Sequence, residues 1–201
     1  MQKYSKQQIE NAVKAKNYVW FNDDANKGYD VNIVGIRNND PKIADKVTNF
    51  FDDIITVSYK KDGSWMYHEW PITTDPGKRA MLEVKNPTGV ARLVPGQYRG
   101  AYSLGLHKGK YEALKQVKPV LVYRDPDKDM IYDENKTQEG IFGINIHMAG
   151  DDSTLVENWS EGCQVFKRKT NFISFRSICR KAAEIHGPSF TYTLIESTDI
   201  K

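Results

Sequence analysis

A chain of 201 residues with 39% hydrophobic content is long enough to bury a core without disulfide staples. It fits one domain, or one domain with a small appendage. The net charge of +3, from 29 basic and 26 acidic residues, is too weak for a nucleic-acid-binding stripe; the densest basic run is Lys167-Arg168-Lys169.

The opening, MQKYSKQQIENAVKAKNY, has neither an apolar stretch nor a small-residue cleavage site, so no signal peptide is expected. No later stretch approaches the ~20 apolar residues of a membrane span. Ser5 and Gln8 form a capping-box pattern that predicts a helix to about Lys16. Residues 18–21 and 31–36 read as strands around the polar turn 22–28. Asp40-Pro41 reads as a helix start, with Ile43, Val47, Phe50 and Phe51 at helical spacing. Residues 1–50 are therefore expected to form an extension or subdomain ahead of a main domain over 51–201.

From Asp53 the pattern turns to β. Ile54–Tyr59 and Trp65–Trp70 flank Lys60-Lys61-Asp62-Gly63, a hairpin turn. Recurrent Pro and Gly over 71–78 and 86–99 predict loops. Val117–Tyr123 reads as a strand and 125–135 as a polar turn. The run YRDPDKDMIYDE alternates acids as a calcium loop does. Counted from Asp125, however, Met130 and Lys136 occupy the positions that require Gly and Glu. Gly143–His147 and Gln164–Lys167 read as strands, followed by a helix over about 171–185 that stops at Gly187-Pro188, and a last strand over Phe190–Glu196. The class is mainly β with peripheral helices, in a sandwich or barrel-like sheet.

Chemistry concentrates in IFGINIHMAGDDSTLVENWSEGCQVF, residues 141–166. Cys163 follows His147 by 16 residues, and each sits at the edge of an expected strand. If those strands are neighbours, the imidazole can take the thiol proton and prepare the sulfur for attack. Gly162 lets the chain bend, and the N–H groups of Gly162 and Cys163 can face a developing oxyanion. Ser160 can hydrogen-bond within that turn. The plainer alternative is a lone His beside a buried Cys. Cys179 shares a helical face with Phe172, Phe175 and Ala182 and reads as core. Two cysteines make no disulfide framework. Without a CxxC or HxxxH pair, no metal is expected.

The strings His147-Met148-Ala149-Gly150 and Ser160-Glu161-Gly162-Cys163 resemble the catalytic motif of the L,D-transpeptidase (YkuD-like) family, H-x2-G followed after a loop by S-H-G-C. Thr88-Gly89 in NPTGVARL resembles the family's T-P-T-G segment, and the likeness covers roughly residues 50–170. Residues 73–78 and 93–100 are similar to a variant associated with phage and gut-bacterial wall proteins. The chain departs from the pattern at Glu161, where the family has His. It departs also at Met148 after the His, and at Gln164-Val165, where an Arg follows the Cys.

The resemblance implies acyl transfer on peptidoglycan stem peptides through a Cys163 thioester, with His147 as base and no cofactor. Met148 or Ala149 main chain, or Ser160, would be the third member. The protein would act at the bacterial wall as a lysin-type peptidase or a transpeptidase, hydrolysis being the first expectation. A mildly basic chain suits that polyanionic surface. The alternatives are a non-catalytic wall-binding module that keeps the fold, and a cysteine hydrolase of some other acyl compound.

Arg99, between turn glycines, is a candidate fork for a substrate carboxylate, with Arg92 behind it. Tyr98, Tyr102 and Trp159 are candidate groove walls, and Gln164 a candidate substrate contact. His107 reads as an exposed turn that could also approach the site. His68 and His186 read as structural.

Overall fold

The computed structural model of the protein describes residues 3–132 and 136–201. Among them run eleven strands. The first six are β1 (Asn32–Arg37), β2 (Asp53–Lys61), β3 (Ser64–Thr73), β4 (Ala91–Leu93), β5 (Gly96–His107) and β6 (Tyr111–Gln116). The rest are β7 (Val120–Arg124), β8 (Thr137–Gly140), β9 (Ile146–Met148), β10 (Gln164–Phe166) and β11 (Ser189–Glu196). Eight of them close a barrel in the order β1, β11, β5, β6, β9, β10, β3, β2. The other three form a separate sheet in the order β4, β7, β8. The mainly β class expected from the sequence is observed.

Successive side chains of a stave face the barrel interior and its outside in turn. In β1, Ile33 joins the barrel core while Val34 and Ile36 point outward. On that outer face lies α1 (Lys6–Ala15), opened by the Ser5–Gln8 capping box, with Ile9, Ala12 and Val13 buried against it. Gly35 faces inward, where an added Cβ would lie 1.8 Å from the Tyr192 hydroxyl. Only glycine lets Tyr192 cross the barrel and donate to Gln164 Oε1 at 2.8 Å. Because β1 lies between β11 and β2, residues 32–37 are part of the barrel that residues 51–201 complete. The expected boundary near residue 50 has no counterpart in the sheet.

The hairpin of β2 and β3 turns at Asp62-Gly63, both with positive φ (51° and 76°), and pairs Lys61 with Ser64. That is the two-residue turn that suits strand twist. The helix α3 (Lys169–His186) buries Phe172, Phe175, Cys179 and Ala182 and ends at Gly187, as its spacing predicts. A short α2 (Lys78–Glu83) precedes β4.

Several expectations fail for identifiable reasons. Residues 18–21 form no strand; Val19 bonds to the Gln97 side chain instead of to a neighbouring backbone. No helix follows Pro41. The segment makes turns, Asn49 takes a positive φ of 60°, and Lys46 and Phe50 form isolated bridges to Ile131 and Leu155. The loop expected over 86–99 contains β4 and the start of the long β5. The segment 111–116, for which no element is expected, is strand β6, paired with β5 over all six of its residues. In the acidic run, Asp125 and Asp129 accept the Lys128 and Ile131 N–H groups within the loop, in keeping with a polar turn. Asp133 and Glu134 of that run lie outside the described residues.

A buried polar network fastens the small sheet to the barrel. Arg37, 1% exposed, pairs with Asp75 at 2.8 Å and donates to the Leu93 and Thr74 carbonyls. Arg92 of β4 pairs with the same Asp75 oxygen at 2.8 Å and stacks over Tyr132 at 4.1 Å. Burial, then the neighbouring Asp75 and Asp52, push the Asp53 carboxyl up to about 7. Burial works the same way on Asp75, but Arg37 and Arg92 outweigh it and hold that carboxyl low. Arg92 is thus a strut, and its candidate role at a substrate carboxylate falls away.

Candidate active site

Strands β9 and β10 run parallel, with Val165 opposite His147. Ile146 and Phe166 face the barrel core, and Gln164 bonds to Tyr192 inside it. Alternation therefore puts His147, Ala149, Val165 and, one step ahead of β10, Cys163 on the outer face. Ala149, Val165 and Cys163 do pack in one cluster there. His147 and Cys163 line one cavity of about 440 Å³.

The turn that carries Cys163 is tightly specified. Gly162 has φ +128°, and an added Cβ would sit 1.8 Å from the Ala91 carbonyl oxygen. Ala91 in turn donates to the Glu161 carbonyl at 3.2 Å, so β4 presses directly on this turn. Ser160 is fully buried; its hydroxyl donates to the Cys163 carbonyl and accepts the Gly162 N–H. Ser160 therefore positions the Cys163 backbone. The Gly162 N–H, expected to face an oxyanion, is already engaged. Among the described residues no hydrogen bond engages the Cys163 N–H, which remains the available donor.

The imidazole is oriented by its own strand. His147 Nδ1–H donates to the Met148 carbonyl at 2.8 Å, and Tyr111 Oη lies 3.2 Å from both. A carbonyl only accepts, so Nδ1 carries the proton and Nε2 is the bare, basic nitrogen. Of the expected third members, the Met148 main chain makes this contact. His107 stacks on His147 at 4.1 Å. Burial, then the neighbouring His107 charge, push His147 down to about 3. Burial pushes the Cys163 thiol up to about 11, against the Asn145 N–H and the Lys108 charge. Both shifts favour the neutral thiol and the neutral imidazole. The thiol donates to the Gly143 carbonyl at 3.3 Å.

His107 is 6% exposed, not the open turn expected from the sequence. It ends β5, and Asn145 Nδ2 donates to its Nδ1 at 3.2 Å. Asn145 also accepts the Gln116 and Gln164 N–H groups, tying β6 and β10 together beneath the site. Gln116 Oε1 accepts the Phe142 and Ile144 N–H groups and shapes the approach to β9. Tyr111, Asn145 and Gln116 were not singled out in the sequence. They belong to a strand and a loop whose pairing only the closed barrel reveals.

Of the candidate substrate contacts, Trp159 is at the cavity, 46% exposed on its rim. Arg99 is not. It sits at the other end of β5 from His107 and lines a separate cavity with Phe21, Lys118 and His186. Tyr98 donates to the Val94 and Leu121 carbonyls beneath the small sheet, and Tyr102 is fully buried in the core. Gln164 is enclosed in the barrel with Tyr192. These four residues face away because strand alternation and barrel closure turn them inward or to another surface. His68 stacks between Tyr59 and Trp70, and His186 donates to the Gly28 carbonyl. No family model, curated protein or solved structure matches the chain.

Proposed function

We propose that the protein is a cysteine-dependent acyl-transfer enzyme acting on peptidoglycan stem peptides, with an L,D-transpeptidase-like arrangement of its β core. The observation that carries the reading is the shared cavity. His147 lines it from β9 and Cys163 from just ahead of the parallel β10, and His147 presents its bare Nε2 because Nδ1 is committed to Met148. The motif residues that suggest the substrate are the same two, with Gly150, Ser160 and Gly162 around them.

The reaction follows from those groups. Cys163 Sγ attacks the stem-peptide carbonyl as its proton passes to His147 Nε2. The Cys163 N–H stabilises the oxyanion. The C–N bond breaks and the leaving amine takes the proton from the imidazolium, which leaves a thioester. Water then attacks, His147 takes its proton, and the acid departs as the thiol re-forms. An amine in place of water gives cross-linking. Hydrolysis is favoured because Asn86, Asn145 and Asn158 on the cavity's walls offer hydrogen-bonding groups to water.

The test is digestion of purified sacculi by wild type and Cys163→Ala, with muropeptides resolved by mass spectrometry. Products formed by wild type alone are expected, and their mass shift names the bond. Untouched muropeptides across wall types overturn the proposal. A second reading, a wall-binding module without catalysis, draws on the neutral resting pair; it predicts equal sacculus binding by both proteins and no product from either.

A further inference from the structure

The side chains around the Cys163 cavity carry an uneven charge. Besides its histidines, the charged residues that line it are Lys108, Arg124 and Glu161. Among the described residues neither cation forms an ion pair. Arg124, at the end of β7, is nevertheless held still. Its Nε donates to Gln138 Oε1 at 2.9 Å, its Nη1 donates to the Gly89 carbonyl at 3.2 Å, and its guanidinium lies over the Phe142 ring at 4.6 Å. A guanidinium has five N–H donors, and neutral partners occupy only part of that set here. Burial without an opposing charge draws its pKa down. Nature's usual remedy for such a group is a carboxylate, and among the described residues no ion pair supplies one.

Lys108 approaches from the other side. It sits at the tip of the β5–β6 hairpin with φ +49°, a conformation that costs a non-glycine residue energy. Its ammonium acts on Cys163, His107 and His147 together, favouring the thiolate and disfavouring protonated imidazoles. The field of Lys108 therefore reaches the sulfur. Glu161 opposes it, so the cavity has two cations against one carboxylate.

We infer that Arg124, with Lys108, forms an anion subsite in the Cys163 cavity that selects acyl donors bearing a carboxylate beside the carbonyl to be attacked. The word donor rests on the acyl-transfer reading above; the charge preference of the cavity does not. Arg124 supplies the fixed, directional part of the subsite, and Lys108 the longer-ranged, salt-sensitive part.

Alkylation of Cys163 tests this without any enzymatic turnover. Iodoacetate and iodoacetamide each form an S–C bond to the thiolate and release iodide, but only the first brings a carboxylate. The ratio of the two rates cancels the thiolate fraction, and peptide mapping separates Cys163 from the buried Cys179. Divided by the same ratio for N-acetylcysteine, the wild-type value is expected to be about fivefold above one at low salt. It should fall towards one in Arg124→Gln and partly in Lys108→Gln, with Arg124→Lys intermediate. If Arg124→Gln does not fold, Lys108→Gln on the exposed hairpin tip decides. A wild-type ratio at or below one, or a ratio that the folded variants leave unchanged, overturns the subsite. Sacculi left intact by a protein that keeps the charge preference would sink the wall-enzyme reading and spare the subsite. Digested sacculi without the preference would do the reverse.

Discussion

His147 and Cys163 rest in their uncharged forms because burial outweighs every nearby charge. The imidazole is pushed down to about 3 and the thiol up to about 11. In the proposed reaction the proton would therefore move only as the sulfur attacks, with His147 as a general base and not as half of an ion pair. If the free enzyme titrates this way, kcat/KM is expected to be flat from about pH 4 to about pH 10. The acid limb would report His147 gaining a proton. A bell centred between pH 6 and 8 would instead signal a thiolate–imidazolium pair and contradict this account. The same values bear on reagents: iodoacetamide should modify Cys163 at pH 7 roughly a hundredfold more slowly than a thiol of ordinary pKa, its rate climbing towards about pH 11.

At the scale of elements, the placing of Cys163 depends on a contact between β4 and the turn ahead of β10, distant in sequence. The Ser160–Cys163 turn is closed by the Ser160 hydroxyl and capped by Ala91 of β4. Gly162→Ala would bring a methyl group within bonding distance of the Ala91 carbonyl. It should cost roughly 2–4 kcal/mol of stability, as overpacked and strained sites do, and remove activity by displacing Cys163. Urea unfolding followed by circular dichroism measures the first, and sacculus digestion the second. A variant with wild-type stability would mean that β4 does not press on the turn as described. One residue at this turn invites a different reading from sequence than from structure: Ser160 is a candidate third member of the site, yet its hydroxyl is enclosed and bonded only within its own turn.

For the whole molecule, what matters is that the barrel and the small sheet hold one register to each other. The Arg37–Asp75–Arg92 network provides that link, since Arg37 belongs to β1 and Arg92 to β4. Asp75→Asn would leave two guanidinium groups, one of them 1% exposed, without the carboxylate they share. A loss of roughly 3–5 kcal/mol is expected, the cost of breaking a buried pair from one side. Activity should fall as well, because β4 carries the residue that caps Gly162. Thermal melts alongside digestion assays check this. A loss under about 1 kcal/mol would show the network to be solvated and the coupling weak.

The sequence by itself determined whatever is encoded locally. Ser5 and Gln8 cap α1, Asp62-Gly63 turns the first hairpin, and Phe172, Phe175, Cys179 and Ala182 mark the buried face of α3. His147 and Cys163 were legible too, since unusual residues at the edges of short apolar runs stand out in a chain with 4 His and 2 Cys. Only the tertiary structure decided what else reaches the cavity. Strand pairing is a long-range choice that a local window does not contain, and a shift of one residue reverses the face of every side chain. That is why Arg99, so plausible as a substrate anchor beside its turn glycines, stands at a different cavity. It is also why His107, at the far end of the same strand, lies stacked on the His147 imidazole.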